Sequence, residues 1–274
     1  MRTLTRTPTH RADSAVHLES LGYATLKGAL SPDRVADLSG AVDDVWRRHR
    51  VEPAAPGAAP LHLLAFLRED PQFLDLVDHR SVLQLITKVL GPNIFMYHCH
   101  LDVHPPETSG RSRWMWHQDG GVQNRDLETD PRPRLSLKVA YFLTDMTEPD
   151  RGNFVVLPGS HVRNAIARPV DDDNSLPDAV PILASPGDAV VFDRRLWHMR
   201  APNTSMRTRK ALFYAYTFRW IRTRDELGLD PTLAAQLTPA QRQLVGLDGA
   251  DPIDLWMPDQ QELPVRALDD ESAF

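Results

Sequence analysis

A histidine and an aspartate stand two residues apart in the segment Trp116-His117-Gln118-Asp119. Side chains two positions apart on an extended backbone point to the same side, so these two can offer an imidazole and a carboxylate to one metal ion. The pattern alone is weak, because His-x-Asp arises often by chance and a solvated loop histidine is the simpler interpretation. A metal site therefore requires a third ligand from elsewhere in the chain.

His198 is the candidate third ligand. It follows a turn and an apolar strand predicted over residues 186–192, and a late strand of a jelly roll can lie beside an early one. Two neutral imidazoles and one carboxylate on one face of an octahedron leave three positions open, as in non-heme Fe(II) oxygenases. A closed tetrahedral zinc site would need a fourth protein ligand instead.

Arg209 stands eleven residues after His198, at the start of an apolar strand predicted over residues 210–216. A guanidinium held on a strand can bind a carboxylate through two parallel hydrogen bonds. This suits the far carboxylate of 2-oxoglutarate, whose keto-acid end would chelate the iron. The alternative is that Arg207 and Arg209 are merely solvated where the strand begins.

Three motifs taken together resemble the phytanoyl-CoA dioxygenase family of Fe(II)/2-oxoglutarate-dependent oxygenases. The resemblance extends in order and spacing over roughly residues 15–220. The motifs are His117-Gln118-Asp119, the run GNFVVLPGSH at residues 152–161, and His198 followed by Asn203 and Arg209. Each motif is unspecific by itself, and their combination is specific.

The resemblance implies a role for each matched residue. The implied iron ligands are His117, Asp119 and His198, and the implied 2-oxoglutarate ligand is Arg209. It further implies that Tyr141 lines the cosubstrate pocket and that His100 lies near the cosubstrate. His161, in a turn after a strand, is interpreted as structural.

The implied activity is oxidation of an unactivated C–H bond in a small molecule, with Fe(II), 2-oxoglutarate and O₂ as cofactor and cosubstrates. Hydroxylation, ring closure and epimerisation are all compatible with it. Family members that halogenate replace the carboxylate ligand with a small residue, so Asp119 argues against halogenation. No glycine-rich phosphate loop accompanies the site, and its basic residues are limited to Arg207, Arg209 and Lys210. A secondary metabolite is therefore favoured, with an acyl-CoA hydroxylase or a non-catalytic jelly-roll binder as alternatives.

A second polar cluster is predicted on the strand that spans residues 97–104. Alternation places four polar side chains on one face of it, namely His98, His100, Asp102 and His104. Such a stripe could bind zinc or copper, but successive side chains of one face stand about 7 Å apart, so only two neighbours can easily share an ion. Lining of the adjacent active site by His98 or His100 is the competing interpretation.

Four further side chains remain open to two interpretations. Lys138 alternates with Tyr141 on an apolar strand, which predicts an outward, solvated lysine. Trp114 and Trp116 either wall an apolar substrate pocket or pack in the core. Arg219 meets either an anionic substrate or an acidic neighbour.

These residues must be positioned by the surrounding elements. The first 50 residues predict helix, strand and helix, the second helix beginning with Ser31 as N-cap and Pro32 at the first position. Short helical patterns follow up to Gly91-Pro92. Five β-rich segments separated by turns come next, at residues 94–103, 135–144, 154–157, 189–192 and 210–218.

Strands without long helices between them predict a mainly β protein with flanking helices, folded as a double-stranded β-helix, or jelly roll. We expect one domain over residues 1–274. Its predicted parts are a helical N-terminal segment at about 12–91, a jelly-roll core at about 93–220, and a helical and loop extension at 221–274. A helix opening at Thr238-Pro239 is predicted in this extension.

Composition limits the partners of the chain. Its 31 Lys+Arg and 37 Asp+Glu give a formal charge of -6, which removes the electrostatic basis for nucleic-acid or anionic-membrane binding. The single cysteine, Cys99, excludes a disulfide framework and multi-cysteine metal sites. No apolar run approaches the roughly 20 residues that span a bilayer, and the first 15 residues lack an apolar signal core. A cytoplasmic protein with a small-molecule substrate is expected, and the oligomeric state is not indicated.

Overall fold

Two antiparallel sheets face each other in the computed structural model, which describes residues 11–50, 52–108, 115–168 and 174–268. The strands are β1 (Tyr23–Leu26), β2 (Leu61–Leu64), β3 (Ile94–His104), β4 (Ser136–Phe142), β5 (Phe154–Val156), β6 (Val180–Pro181), β7 (Ala189–Asp193), β8 (His198–Arg200) and β9 (Arg209–Phe218). The α-helices are α1 (Arg11–Leu21), α2 (Pro32–His49), α3 (Arg80–Leu90), α4 (Gln123–Asp126), α5 (Pro231–Ala235), α6 (Pro239–Leu244) and α7 (Pro252–Trp256).

The larger sheet has the strand order β1-β7-β4-β9-β3-β2, and the smaller one has the order β6-β5-β8. Every ladder between these strands is antiparallel. Strands that neighbour each other in the larger sheet are far apart in the chain, since β3 pairs with β9 over its whole length. This is the jelly roll that the strand pattern predicts, with helices packed outside it.

The larger sheet is buried on both of its faces. Its outer face packs on the helices through residues such as Leu137, Val139 and Tyr141 of β4. Its inner face packs on the smaller sheet, and Ala140 and Phe142 of the same strand lie in that second core. Because both faces are covered, β4 and β7 are largely apolar on both faces and their hydrophobic pattern does not mark which face is inward.

Helix α2 covers the outer face and begins as predicted. The Ser31 hydroxyl accepts a hydrogen bond of 3.2 Å from the backbone N–H of Arg34, and Pro32 occupies the first turn. Leu38 and Val42 lie on its fully buried face. The helix ends at His49, one residue before the end of the basic run Arg47-Arg48-His49-Arg50.

The five predicted β segments all form strands, with ends within two residues of those predicted. In the N-terminal segment β1 is the strand predicted between the first two helices, whereas β2 was not predicted, and both join the edges of the larger sheet. The three-residue strand β8 was also not predicted. Strands this short carry too few alternating positions to be recognised from their pattern.

The C-terminal segment packs against the larger sheet. Helix α6 carries the predicted start at Thr238, whose hydroxyl accepts from the N–H of Gln241 at 3.1 Å while the Gln241 side chain accepts from Thr238 N. The Gln243 amide donates to the carbonyl of Ile94 on β3 at 3.1 Å. No helix in the described ranges is both long enough and apolar enough to cross a membrane.

Gly22 connects α1 to β1 where the backbone has φ +82°. A β-carbon there would lie 2.7 Å from His161 Nδ1 and 2.9 Å from Leu196 Cδ1. We expect Gly22→Ala to lower the free energy of unfolding by about 1–3 kcal/mol, through strain and overpacking. Gly40→Ala is the control, since it lies exposed in α2 with open space around it and should stabilise the helix by up to about 1 kcal/mol. Urea unfolding of both variants measures the difference, and equal effects would contradict this interpretation.

Candidate metal centre

A short antiparallel bridge brings His117 beside His198. Each residue's backbone N–H donates to the other's carbonyl at 3.0 Å, and the two imidazole rings have centroids 4.3 Å apart. His198 is the first residue of β8 and is buried, whereas His117 is exposed. The fold thus brings His117 and His198 into contact although they are distant in the chain. The sequence alone did not establish this contact.

Gln118 shows why His117 and Asp119 point the same way. Its side chain is anchored on the opposite side of the backbone, where its amide donates to the Arg163 carbonyl at 2.9 Å and its oxygen accepts from Arg132 Nη1 at 3.0 Å. The two flanking side chains therefore turn toward His198. Ligand atoms of the three residues lie within 4.8 Å of one another.

Both histidines hold their Nδ1 atoms in backbone hydrogen bonds. His117 Nδ1 donates to the Met115 carbonyl at 2.8 Å, and His198 Nδ1 donates to the Leu196 carbonyl at 2.8 Å. This fixes the tautomer in which Nε2 carries the lone pair, as is usual for metal-ligating histidines. Burial, reinforced by the neighbouring His117, lowers the pKa of His198 to about 3. The imidazole is therefore neutral and able to bind a metal at neutral pH.

Lys138 corrects a prediction, because it is not solvated. Its side chain is 8% exposed and its ammonium lies 2.9 Å from Asp119 Oδ2. Burial opposes ionisation of Asp119, but this ammonium and the two imidazoles hold the pKa of the carboxyl well below its usual range. Apart from this ion pair, Asp119 Oδ2 has no hydrogen-bond partner among the described residues. Such a carboxylate oxygen is available to a cation.

We expect Lys138→Met to destabilise the metal-free protein by about 3–5 kcal/mol, because it leaves a buried carboxylate without its counter-charge. Addition of Ni(II) should offset most of that loss, since the metal takes over the ammonium's role. Urea unfolding with and without Ni(II) measures both effects.

Lys210→Met is the matched control for that experiment. Lys210 pairs at 2.7 Å with Asp43, whose side chain is 48% exposed, away from the three ligands. Its loss should cost about 1 kcal/mol or less and should not depend on metal. Metal-independent destabilisation by Lys138→Met would show that its pairing with Asp119 is unrelated to metal binding.

Arg209 lies on the inner face of β9 and is 2% exposed. Among the described residues its Nε and Nη1 atoms have no hydrogen-bond partner, and Asp102 Oδ2 lies 3.8 Å from Nη1. Burial lowers the pKa of Arg209 to about 10, so the guanidinium stays charged at neutral pH. Gly152 leaves room for it, since a β-carbon there would lie 2.7 Å from Arg209 Cδ. The group is held in place with donors free for an anion.

Tyr141 does not lie where the resemblance implied. It is fully buried on the outer face of β4, where its hydroxyl lies 3.0 Å from His79 Nδ1 and its ring packs edge-on against Tyr214. Arg209 is on the other face of the sheet. The alternation of Lys138 and Tyr141 is correct, but the faces are the reverse of those predicted.

His100 occupies the inner face, as expected from alternation on β3. Its ring stacks on Phe213 with centroids 4.3 Å apart and an interplanar angle of 12°. The guanidinium carbon of Arg209 lies 5.9 Å from the centroid of the same Phe213 ring. His100 and Arg209 therefore border one space, and a cosubstrate role for His100 stays a prediction.

Two members of the second polar cluster, His100 and Asp102, lie close to His62 of β2. These three residues also bring possible ligand atoms within 4.8 Å of one another. It is a hydrogen-bonded network, in which Asp102 Oδ1 lies 2.6 Å from His62 Nδ1 and His100 Nδ1 lies 3.1 Å from His98 Nε2. The buried cation Arg209 stands beside its carboxylate. That charge disfavours a second metal there, so the cluster around His198 is the better candidate.

Three other candidates have structural partners. Trp116 packs in a small core with Val155 and Met199. Arg219 forms an ion pair with Asp248, which favours the acidic neighbour over a substrate. His161, interpreted as structural, is buried, and its Nε2 lies 3.0 Å from the carbonyl of Glu19. Trp114 lies outside the described residues.

Residues 18–211 match the phytanoyl-CoA dioxygenase (PhyH) family. The chain belongs to this family. It is therefore a dioxygenase that depends on Fe(II) and 2-oxoglutarate, and the sequence-based recognition is confirmed. The donor set fits that metal, since two imidazoles and one carboxylate converge and, within the described ranges, Asp119 Oδ2 has no partner besides the Lys138 ion pair.

Relatives and solved structures agree with the family. Dioxygenase af480 of Aspergillus fumigatus is 25% identical over 218 residues, which is 74% of this chain but only 65% of that protein. The non-heme alpha ketoglutarate dependent carbocyclase SnoK from nogalamycin biosynthesis is 20% identical, with a TM-score of 0.56 over 77% of this chain and 86% of SnoK. EvdO2 from Micromonospora carbonacea var. aurantiaca, solved with 2-oxoglutarate, is 22% identical, with a TM-score of 0.58 over 78% of this chain and 93% of EvdO2. The jelly-roll fold is confirmed.

Proposed function

We propose that this dioxygenase oxidises a C–H bond of a small secondary metabolite, with His117, Asp119 and His198 as the Fe(II) ligands and Arg209 as the 2-oxoglutarate ligand. The outcome is hydroxylation or a related ring closure or epimerisation. The assignment rests on three converging ligands and on a buried guanidinium on the inner face of the larger sheet, two of whose nitrogens have no hydrogen-bond partner among the described residues.

Each protein group has a defined task in this proposal. The two Nε2 lone pairs and one Asp119 oxygen bind the metal. The ammonium of Lys138 pairs with the same carboxylate and holds it in place. Arg209 orients the cosubstrate by binding its far carboxylate. Bound Fe(II) would supply the coupling of 2-oxoglutarate decarboxylation to oxidation by O₂.

The apolar surroundings of His198 exclude water from one side of the site. Phe154 and Phe192 have ring centroids 5.1 Å from that of His198, one on β5 and the other on β7. Both belong to the core between the sheets. A dry wall strengthens electrostatic contacts and protects reactive species from side reactions.

The choice of a secondary metabolite is supported by the solved structures, since SnoK is described as a carbocyclase of antibiotic biosynthesis. A non-catalytic binder is disfavoured, because such a protein has no need of three preset ligands and a buried arginine. The halogenation route is disfavoured by Asp119, which faces the other two ligands.

The test is iron-dependent turnover of 2-oxoglutarate under ¹⁸O₂ with a bacterial metabolite pool. We expect succinate that carries ¹⁸O, together with a metabolite of altered mass, and loss of both when a chelator removes iron. Absence of succinate with and without the pool would contradict an active oxygenase.

A further inference from the structure

A cavity of about 520 Å³ opens beside the metal centre. Asp119 and Lys138 form part of its wall, together with Tyr97, Ser136 and Thr217. Tyr97 reaches it because a β-bulge between Met96 and His98 interrupts the alternation of β3. Arg209 does not line it. The cavity therefore lies apart from the predicted cosubstrate ligand and has direct access to one metal ligand.

The wall of this cavity carries an excess of positive charge. Lys138 is balanced by Asp119, which leaves three arginines, Arg194, Arg222 and Arg224. No second carboxylate lines the cavity among the described residues. Asp225 lies behind the wall, where it is 2.7 Å from His98 Nδ1 and 3.9 Å from Arg224 Nε. Arg224 is thus partly compensated, and the charge of Arg194 is partly balanced by the nearby Asp119 and Asp193.

Arg194 is the buried member of this group, with 4% of its surface exposed. Its Nη2 donates to Asn124 Oδ1 at 2.6 Å, and its Nη1 has no hydrogen-bond partner in the described part of the chain. Burial lowers its pKa, which reflects the cost of keeping a charge there. Packing therefore leaves one buried donor of this guanidinium without a partner, and an anion bound at the cavity wall would supply it.

Gly120 makes room for this guanidinium. Its backbone has φ +109°, and a β-carbon there would lie 1.9 Å from Arg194 Nη2. The N–H of Asp119 donates to the Arg194 carbonyl at 2.8 Å, which ties the arginine to a metal ligand. The guanidinium is thereby held at a set position beside the ligand, in the wall of the cavity.

We propose that Arg194 binds an anionic group of the substrate, a carboxylate or a phosphate, and so fixes which carbon lies near the metal. Arg222, exposed in the same cavity, assists entry of the anion. The planar guanidinium matches the two oxygens of either group. The proposal rests on the proposed function and adds the substrate class to it.

Three fluorinated probes of similar shape test this: 4-fluorobenzoate, 4-fluorophenyl phosphate and the neutral 4-fluorobenzamide. Each is titrated by ¹⁹F NMR into anaerobic protein saturated with Fe(II) and 2-oxoglutarate, so that the Arg209 site is occupied. We expect at least about tenfold tighter binding of one anion than of the amide. Preference for the carboxylate or for the phosphate identifies the anionic group, and both support the proposal.

Arg194→Gln keeps a hydrogen-bonding side chain and removes the charge. It should weaken the preferred anion by at least about tenfold and leave the amide unchanged. Arg194→Lys should restore part of the binding, and serves if the Gln variant fails to fold. Arg125→Gln, an exposed arginine on α4 outside the cavity wall, is the control and should change nothing.

Equal or undetectable binding of all three probes by the wild type would overturn the proposal, and so would equal losses in Arg194→Gln and Arg125→Gln. The iron–2-oxoglutarate charge-transfer absorption is recorded in the same samples. Its absence would count against the proposed metal centre, whereas its presence without anion preference would count against the role of Arg194 alone.

Discussion

Replacing either histidine that we propose as an iron ligand, His117→Ala or His198→Ala, is expected to abolish iron retention and 2-oxoglutarate turnover. Each change removes the Nε2 lone pair that the backbone hydrogen bond on Nδ1 keeps available. Loss of an outer partner of a metal ligand already costs about 10–100-fold in affinity, so loss of a ligand itself should cost more. Bound iron after anaerobic loading and desalting, and succinate formation, are the two measurements.

The two variants differ in what else they disturb. His198 is buried between Phe154 and Phe192, so its loss also leaves a cavity in the core. His117 is exposed, so His117→Ala separates metal loss from damage to the fold. His161→Ala is the control, because it should cost stability while the remaining folded protein binds iron. Normal iron content in His117→Ala would remove this residue from the ligand set.

Arg209→Gln is expected to weaken 2-oxoglutarate binding and to leave iron binding near that of the wild type. Truncating one partner of a buried, hydrogen-bonded charge pair costs about 2–5 kcal/mol, or roughly 30-fold to several thousand-fold in affinity. Anaerobic calorimetric titration of 2-oxoglutarate into the Fe(II)-loaded protein measures it.

Arg207→Gln is the internal control for that titration. The Arg207 side chain is 67% exposed and its nearest carboxylate, on Asp145, is 3.6 Å away. Removal of such a surface charge should change the affinity by less than about 1 kcal/mol. If Arg207→Gln weakened 2-oxoglutarate binding and Arg209→Gln did not, the result would mean that the cosubstrate approaches from outside the sheet.

The proximity of His117, Asp119 and His198 could be predicted because its signals are largely local. His117 and Asp119 share one extended segment, and Arg209 lies at a fixed distance in sequence from His198. Arg209 begins β9, whose ends were predicted within two residues, whereas β8, which carries His198, was not predicted. The contact between His117 and His198 needed only the jelly-roll topology.

The orientation of β4 could not be predicted in the same way. Both faces of this strand are buried, so hydrophobicity does not tell which alternate residues are inward. Lys138 was placed outward because lysine is usually solvated, and its partner Asp119 is distant in the chain. Tyr141 was placed inward because the resemblance to the family implied that it lines the cosubstrate pocket. Its side chain instead lies on the outer face, where the hydroxyl contacts His79.

Nothing about Arg194 itself indicated a binding role in the sequence. It follows β7 within a run of three charged residues, of which Asp193 and Arg195 pair with each other at 2.7 Å. Only the structure shows that Arg194 turns toward the cavity, past the missing side chain of Gly120. A glycine directly after a predicted ligand is the one feature that could have indicated a close approach.

Anaerobic titration of Fe(II) and then 2-oxoglutarate into the metal-free wild-type protein tests the central claim most directly, because it measures assembly of the site apart from catalysis. We expect the iron–keto-acid charge-transfer absorption to appear and to saturate at one Fe(II) and one 2-oxoglutarate per chain. It should be absent in His117→Ala and should need at least about tenfold more 2-oxoglutarate in Arg209→Gln. Failure of the absorption to appear in the wild type, or its full retention in His117→Ala, would contradict the assignment of His117, Asp119 and His198 as the iron site.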